Sequence, residues 1–217
     1  MGLNLYISHT VVEKQTGDSR RLKEILNNGL KPRFETNESN DWFENNPDCA
    51  ENRNYIFHHA TEHKYWIWEG WKNEKVSGAI YINNDYIINH PNEFLNASFR
   101  NNEGNMNYSR YSSFESRDTK NSKTFAKFCS QNKIMPVNER ARLRRLTNQI
   151  ISKSVPVEAM ESLIVTNRKI LNDIESHVPD NINLFLFTGE YHPTPNPKKY
   201  LVGAPILERI KNGKQND

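Results

Sequence analysis

A dense group of cations lies in the stretch NERARLRRL, residues 138–146. Four arginines fall within six residues of it: Arg140, Arg142, Arg144 and Arg145. Upstream, three aromatic residues alternate with two further arginines: Tyr108, Arg110, Tyr111, Phe114 and Arg117. Guanidinium groups can follow a phosphate backbone, and aromatic rings between cations suit stacking on unpaired bases. The pattern indicates a single-stranded nucleic acid as partner, although a solvated basic helix face would give the same arginine spacing.

The histidines offer two further kinds of chemistry. His9 follows a short apolar strand and precedes a basic amphipathic helix, so it lies where a strand meets a loop. Taken alone, such a histidine is usually an ordinary packed side chain. His59 and His63 in HHATEH stand four residues apart, a spacing at which two imidazoles could ligate zinc. Because no third ligand follows at a suitable spacing, we expect no metal site.

Hydrophobic periodicity predicts the elements that position these groups. Ser19 can cap a helix that begins near Arg20, and Gly29 can end it. Its apolar residues recur at helical spacing: Leu22, Ile25, Leu26 and Leu30. Further helices are predicted at residues 60–75, 122–132 and 166–177. Strands are predicted at residues 3–8, 54–59, 76–83, 85–89, 149–152 and 181–191, and a proline-initiated turn leads into another strand within residues 155–165.

The order of these elements predicts an α+β fold. The helices and strands do not alternate as regular βαβ units, which disfavours a doubly wound parallel sheet. No linker or internal repeat is apparent, so we expect a single domain over residues 1–217. Residues 101–121 are poor in aliphatic side chains and rich in Asn and Ser, which is typical of an excursion over the surface.

The composition excludes several classes of protein. Of the 217 residues, 35% are apolar and 11% are aromatic, and the net charge is +3. The aromatic content argues against disorder, and the mild positive charge permits a nucleic-acid partner without requiring one. No apolar run approaches the ~18 residues of a membrane span, and the first residues lack the features of a signal peptide. We expect a cytoplasmic protein without membrane contact, in which Cys49 and Cys129 are reduced.

Four pieces of sequence follow one another in a meaningful order. YISHT is a strand with a histidine before a small hydroxyl residue, and LKEILNNGLKPR is a helix of the form Leu-x-x-Ile-Leu-x-x-Gly-Leu. NYIFHHATEHKYWIW pairs two tyrosines, and NQIISKSVPVEAMESLIV combines an apolar strand, a Val-Pro turn and an Ile-Val ending. Together they cover about a quarter of the chain. In this order they resemble the ADP-ribosyltransferase superfamily, in the histidine-type branch that includes diphtheria-like and DarT-like toxins.

The resemblance implies a split, mixed β-sheet of ADP-ribosyltransferase type that holds NAD, the substrate, in a bent shape. His9 would hydrogen-bond the adenosine ribose. Ser8 or Thr10 would anchor the carboxamide of nicotinamide. Either Arg33 or Arg53 would neutralise the pyrophosphate through a bidentate guanidinium.

The resemblance also implies roles for the two tyrosines. Tyr55 and Tyr65 would stack on the nicotinamide ring from either side, and Tyr81 is the fallback for one of them. Holding the leaving ring and the ribose in place lowers the barrier to cleavage of the glycosidic bond. The same residues would by default be core aromatics.

One catalytic position departs from the family. The usual glutamate begins the strand before the Val-Pro turn, where this chain has TNQIIS, so the aligned residue is Asn148 or Gln149, and Gln149 is preferred. Glutamine has the shape of glutamate but supplies no negative charge to an oxocarbenium-like ribose. The chain is an inactivated Glu-to-Gln form, an enzyme that works with glutamine or with another carboxylate, or a site that binds NAD without turnover.

Two other carboxylates are alternatives for this role. Glu190 in FTGEY is the better of them, and Glu139 lies just before the arginine run. A second register puts Lys199 at the catalytic position, where a cation has the wrong charge.

The combined prediction is a mono-ADP-ribosyltransferase, a bacterial or phage toxin or effector that transfers ADP-ribose from NAD to nucleic acid. In the family, the segment before the catalytic strand faces the acceptor, and here it carries the four arginines. An antitoxin or immunity protein is a further expected partner. The rival hypotheses are an NAD glycohydrolase, a protein-modifying transferase and a non-enzymatic basic nucleic-acid-binding module.

Overall fold

Strands and short helices alternate along the part of the chain that the structure, a computed structural model, describes. The described residues are 6–32, 55–61, 65, 75–90, 93–98, 123–124, 148–192 and 205–213. Contacts divide the chain into two compact units. The first unit consists of Met1–Asn4, Leu30–His58 and Asp85–Ser154, and the second of Leu5–Gly29, His59–Asn84 and Val155–Asp217. The single domain over residues 1–217 stays a prediction.

Nine strands and three α-helices lie within the described residues. The strands are β1 (Tyr6–Val12), β2 (Ile56–Thr61), β3 (Val76–Ile82), β4 (Phe94–Ser98), β5 (Lys123–Thr124), β6 (Asn148–Ser152), β7 (Met160–Val165), β8 (Asn183–Tyr191) and β9 (Pro205–Lys211). The helices are α1 (Arg20–Asn28), α2 (Asn84–Asn89) and α3 (Arg168–Ile174).

The second unit is built on a mixed sheet. Its strand order is β2-β1-β3-β7-β8-β9, where the C-terminal half of β2 takes part. β7 and β8 run parallel, and the other neighbours are antiparallel. A mixed sheet with few helices confirms the predicted α+β class.

The sheet of the second unit has two chemically different faces. Because side chains alternate along a strand and directly opposed residues share a face, the pairing register sorts them. One side, the aliphatic face, carries fully or almost fully buried Ile7, Val11, Ile80, Ile82 and Leu163. The other side, the aromatic face, carries a buried cluster with partly buried tyrosines packed on it: Val76, Ala79, Tyr81, Ile164, Phe185 and Phe187, with Tyr6, Tyr65, Tyr191 and Leu207.

Two helices of the second unit contact its strands. Helix α1 contacts β1 and buries Leu22, Ile25 and Leu26. Helix α3 contacts β7 and continues into a 3-10 turn, Glu175–His177. None of the residues that either helix buries belongs to the aromatic cluster. The helices predicted at these places are confirmed, with shorter bounds.

The start of α1 is stabilised differently from the prediction. Ser19 occupies the N-cap, but its side chain makes no capping hydrogen bond and instead donates to Asp173 of α3. The buried carboxylate of Glu13 accepts from the backbone N–H groups of Arg21 (3.2 Å) and Leu22 (3.1 Å). A carboxylate at this end accepts hydrogen bonds from otherwise unpaired N–H groups and interacts favourably with the positive end of the helix dipole. Ser19 therefore ties two helices together, and Glu13 does the capping.

The first unit contains a smaller set of strands. Its order is β5-β4-β6-β2, with β2 represented by its N-terminal half. On one face, the Nε2 atom of buried His58 lies 2.8 Å from the Ser152 hydroxyl, and the His58 ring lies near the Phe94 ring.

The predicted strand QIIS and the Val-Pro turn after it are confirmed by β6 and the 3-10 turn Val157–Ala159.

Three predicted elements are wrong where the structure describes them. Residues 85–89 belong to helix α2 and not to a strand, since Asn and Asp after a strand favour a helix start. The helix predicted over 122–132 contains strand β5. The helix predicted from residue 60 does not begin there, because Ala60 and Thr61 continue β2 and Tyr65 lies in a turn. Strand β4 was not predicted. The excursion at 101–121 lies outside the described residues.

Candidate functional site

A row of polar side chains crosses the aromatic face of the second unit. His59 of β2 is opposite Ser8 of β1, Ser8 is opposite Tyr81 of β3, and Tyr81 is opposite Ser162 of β7. Directly opposed residues keep their Cβ atoms about 4.5–5.5 Å apart. These four residues, the polar row, therefore form one line of neighbouring groups that can donate or accept hydrogen bonds.

The polar row runs from the core of the unit to its surface. Ser162 is 0% exposed, Tyr81 is 2% exposed and Ser8 is 5% exposed, whereas His59 is exposed. Burying a hydroxyl costs free energy unless a hydrogen bond replaces its water. Three buried hydroxyls in one line of a largely apolar sheet thus mark a place where packing alone does not explain the residue types.

Hydrogen bonds connect the buried end of the row. The Ser8 hydroxyl bonds the phenol of Tyr81. Burial raises the pKa of Tyr81 far above the ordinary value for a phenol, and the bond from Ser8 only partly opposes that rise. Tyr81 therefore keeps its proton at every physiological pH and is able to donate a hydrogen bond.

Tyr65 joins the row from above the sheet. Its hydroxyl lies 3.1 Å from the Ser162 hydroxyl. Its ring meets Tyr81 edge-on at 5.3 Å and Phe185 at 4.8 Å. Its backbone has φ 66°, the one positive φ of a non-glycine residue in the described segments. A bulky residue adopts this conformation only where its surroundings hold it, so the position of the Tyr65 ring is strongly specified.

The aromatic surface continues beyond Tyr65. The guanidinium of Arg209 lies 5.4 Å from the centre of the Phe185 ring, and Phe187 meets Tyr191 edge-on at 5.1 Å. The hydroxyl of Tyr191 is buried with no hydrogen-bond partner among the described residues, and burial raises its pKa. Aromatic rings beside buried hydroxyls can recognise a planar ring that carries an amide or hydroxyl group.

The exposed end of the row has its own electrostatics. His59 is exposed as a residue, yet the protein around its imidazole desolvates the ring and lowers its pKa below the ordinary value. Desolvation disfavours the charged form of a histidine. At neutral pH His59 is therefore an uncharged imidazole that can both donate and accept hydrogen bonds.

The structure separates two neighbouring site residues of the first strand. Ser8 and Thr10 lie on the aromatic face, opposite Tyr81 and Ala79. His9 is opposite Ile80 and shares the aliphatic face with Ile7 and Val11, where it is half-buried. The sequence prediction grouped His9 with Ser8 in one site; alternation along the strand instead turns the two side chains to opposite faces of the sheet.

Of the predicted site residues in the first unit, the structure describes Tyr55, Asn148 and Gln149. Tyr55 is half-buried and stands one residue before β2. Asn148 and Gln149 begin β6, opposite Ser98 and Ala97 of β4. Arg33 and Arg53 lie outside the described residues, as do the predicted acceptor-binding residues Arg140, Arg142, Arg144 and Arg145.

Of the alternative residues for the catalytic position outside β6, the structure describes only Glu190. Glu190 is exposed near the end of β8, after Gly189 with φ 88°. Glu139, Lys199 and His63 lie outside the described residues. Within the described segments, no group of three or more His, Cys, Asp or Glu could hold a metal ion, and no helix is long and apolar enough to cross a membrane.

Sequence reasoning missed two members of the polar row. His59 was considered only as a partner of His63 for zinc, because the register that brings it beside Ser8 joins strands about fifty residues apart. Ser162 interrupts the apolar run MESLIV. A hydroxyl inside a fully buried strand is the signal that could have identified it.

Comparisons with protein-family models, with curated proteins and with solved structures found no match.

Proposed function

We propose that the protein is a mono-ADP-ribosyltransferase that binds NAD on the aromatic face of the second unit. The observation that carries the proposal is that Ser8, Tyr81 and Tyr65 lie together on this face, where Ser8 bonds Tyr81 and Tyr65 bonds Ser162. The resemblance assigns the carboxamide of nicotinamide to Ser8 or Thr10 and the ring to tyrosines. Residues of both kinds share this face.

The proposed reaction transfers ADP-ribose in one displacement at carbon. The bond between C1′ of the ribose and N1 of the pyridinium breaks, and its electron pair returns to the ring, which leaves as neutral nicotinamide. A lone pair of the acceptor forms the new bond to C1′, and the acceptor gives up its proton to solvent. Positioning of ring and ribose lowers the barrier, and Gln149 stands at the place of the family's glutamate.

The proposed acceptor is single-stranded nucleic acid. The four arginines at 140–145 and the aromatic–arginine segment at 108–117 support this choice, since cations follow phosphates and rings stack on unpaired bases. The proposed biological role is that of a toxin or effector.

The test adds a negative charge at position 149, where the family has a glutamate and this chain has a glutamine. Gln149→Glu and, as a matched control, Asn148→Asp each add one carboxylate at neighbouring positions of β6. Both variants and the unchanged protein are incubated with NAD labelled in its adenylate part and with single-stranded DNA, RNA or cell extract. We expect Gln149→Glu to label the nucleic acid at least about tenfold faster than the unchanged protein, because a carboxylate stabilises the oxocarbenium-like ribose.

The outcomes separate the rival functions. Nicotinamide release without labelled acceptor identifies an NAD glycohydrolase, and labelled protein identifies a protein-modifying transferase. A gain in labelling rate that is seen only in Asn148→Asp assigns the catalytic role to position 148 instead of 149. Salt-sensitive nucleic-acid binding without affinity for NAD contradicts the proposal and leaves a non-enzymatic binding module.

A further inference from the structure

His59 is the exposed end of the polar row. It is directly opposite Ser8 in the register between β2 and β1, and both side chains lie on the aromatic face. Ser8 is 5% exposed, whereas His59 as a residue is exposed. A ligand that reaches Ser8 from outside therefore meets His59 at the same place.

We propose that His59 supplies an imidazole that hydrogen-bonds the nicotinamide riboside part of NAD. The inference rests on the proposed function, because it names a binding residue for the same substrate. The resemblance assigns the carboxamide of nicotinamide to Ser8 or Thr10, and the register puts His59 directly opposite Ser8. His9 occupies the aliphatic face with Ile7 and Val11.

The neighbouring histidine does not compete for this role. His58 precedes His59 in β2, and alternation turns it to the opposite side of the strand. It is 3% exposed, and its Nε2 lies 2.8 Å from the Ser152 hydroxyl in the first unit. His58 is thus part of a buried hydrogen-bonded pair of the first unit, whereas His59 is an exposed residue of the second unit.

The chemistry of His59 suits a cationic pyridinium. An uncharged imidazole does not repel the positive ring of NAD, and it can accept a hydrogen bond from a ribose hydroxyl or donate one to the carboxamide oxygen. The Cβ atoms of His59 and Ser8 are about 4.5–5.5 Å apart, so one carboxamide and the adjoining ribose can contact both side chains.

The experiment measures NAD binding by calorimetry to the full chain and to four variants, His59→Ala, His59→Gln, His9→Ala and His177→Ala. We expect His59→Ala to raise the dissociation constant for NAD about tenfold, the loss of one hydrogen bond to a bound ligand. His59→Gln keeps a donor and an acceptor and should recover part of that loss. His177→Ala removes another exposed histidine of the second unit, beside Asp173, and should bind NAD as the unchanged protein does.

Further readouts distinguish a binding role from a structural one. The imidazole carbon-bound proton resonances of His59 should shift when NAD is added, while those of His177 should not, and the thermal midpoint of His59→Ala should stay close to that of the unchanged protein. If the unchanged protein binds NAD and His59→Ala binds it equally well, or if only His9→Ala loses affinity, the inference is overturned and the proposed function survives. If the unchanged protein has no affinity for NAD, both are overturned.

Discussion

The buried hydroxyls of Ser8, Tyr81 and Ser162 are the residue-scale feature on which the account depends. Each would cost free energy in an apolar sheet if it lacked a hydrogen bond. Ser8 bonds Tyr81, and Ser162 bonds the hydroxyl of Tyr65. The buried end of the row is therefore a polar network of two hydrogen-bonded pairs, and in each pair the loss of one partner leaves the other unsatisfied.

Replacing Tyr81 by phenylalanine tests that network. Tyr81→Phe removes the hydroxyl that Ser8 contacts and leaves a buried group short of a partner, so we expect a loss of about 1–3 kcal/mol in the free energy of unfolding. Tyr191→Phe is the matched control, because it removes a buried hydroxyl that has no partner in the described segments and should be neutral or stabilising. Urea denaturation measures both, and equal losses in the two variants would contradict the network.

At the scale of elements, local periodicity predicts much of what the structure contains. The apolar spacing of α1 and the continuous apolar runs of β3, β7 and β8 are strong signals, and those elements are confirmed. The mistakes fall where local preference is weak. Residues 85–89 have the β-branched and aromatic content of a strand, but Asn84 and Asp85 start a helix that buries Ile87.

The register of the sheet could not be predicted from the sequence. Which residue of β1 stands opposite which residue of β2 depends on strands that are distant along the chain, and a slip of one residue exchanges the two faces. For this reason the sequence did not indicate His59, which only the pairing of β2 with β1 brings beside Ser8. His9 was grouped with Ser8 because the strand was predicted to end at Ser8, whereas β1 continues to Val12 and alternation turns the two side chains to opposite faces.

The end of α1 gives a prediction at this scale. Gly29 has φ 78°, and a Cβ atom there would lie 2.6 Å from the backbone oxygen of Val155. Gly29→Ala therefore combines an unfavourable backbone conformation with a clash, and we expect it to lower the free energy of unfolding by about 1–3 kcal/mol.

The matched control for Gly29 is another glycine with positive φ. Gly189 has φ 88°, but a Cβ atom added there would meet no other described atom within 4 Å, so Gly189→Ala should lose only the conformational part, about 1 kcal/mol. Thermal or urea denaturation of both variants provides the comparison. A loss in Gly29→Ala no larger than that in Gly189→Ala would show that close packing against Val155 is unimportant.

At the scale of the whole molecule, the α+β class follows from the order of elements, and the function follows from a site. The second unit combines an aliphatic face with an aromatic face that carries hydrogen-bonding groups. A fold class alone hosts many activities, so the proposed function depends on Ser8, Tyr81 and Tyr65 and not on the sheet. Sequence motifs indicated Ser8 and Tyr65, and only the three-dimensional arrangement added Ser162 and His59.

The most direct test is a crystal structure of the protein grown with saturating NAD. The account predicts the nicotinamide ring against Tyr65 on the aromatic face, its carboxamide within hydrogen-bond distance of Ser8 or Thr10, and the imidazole of His59 beside the adjoining ribose. NAD bound on the aliphatic face near His9, or bound away from the polar row altogether, would contradict it.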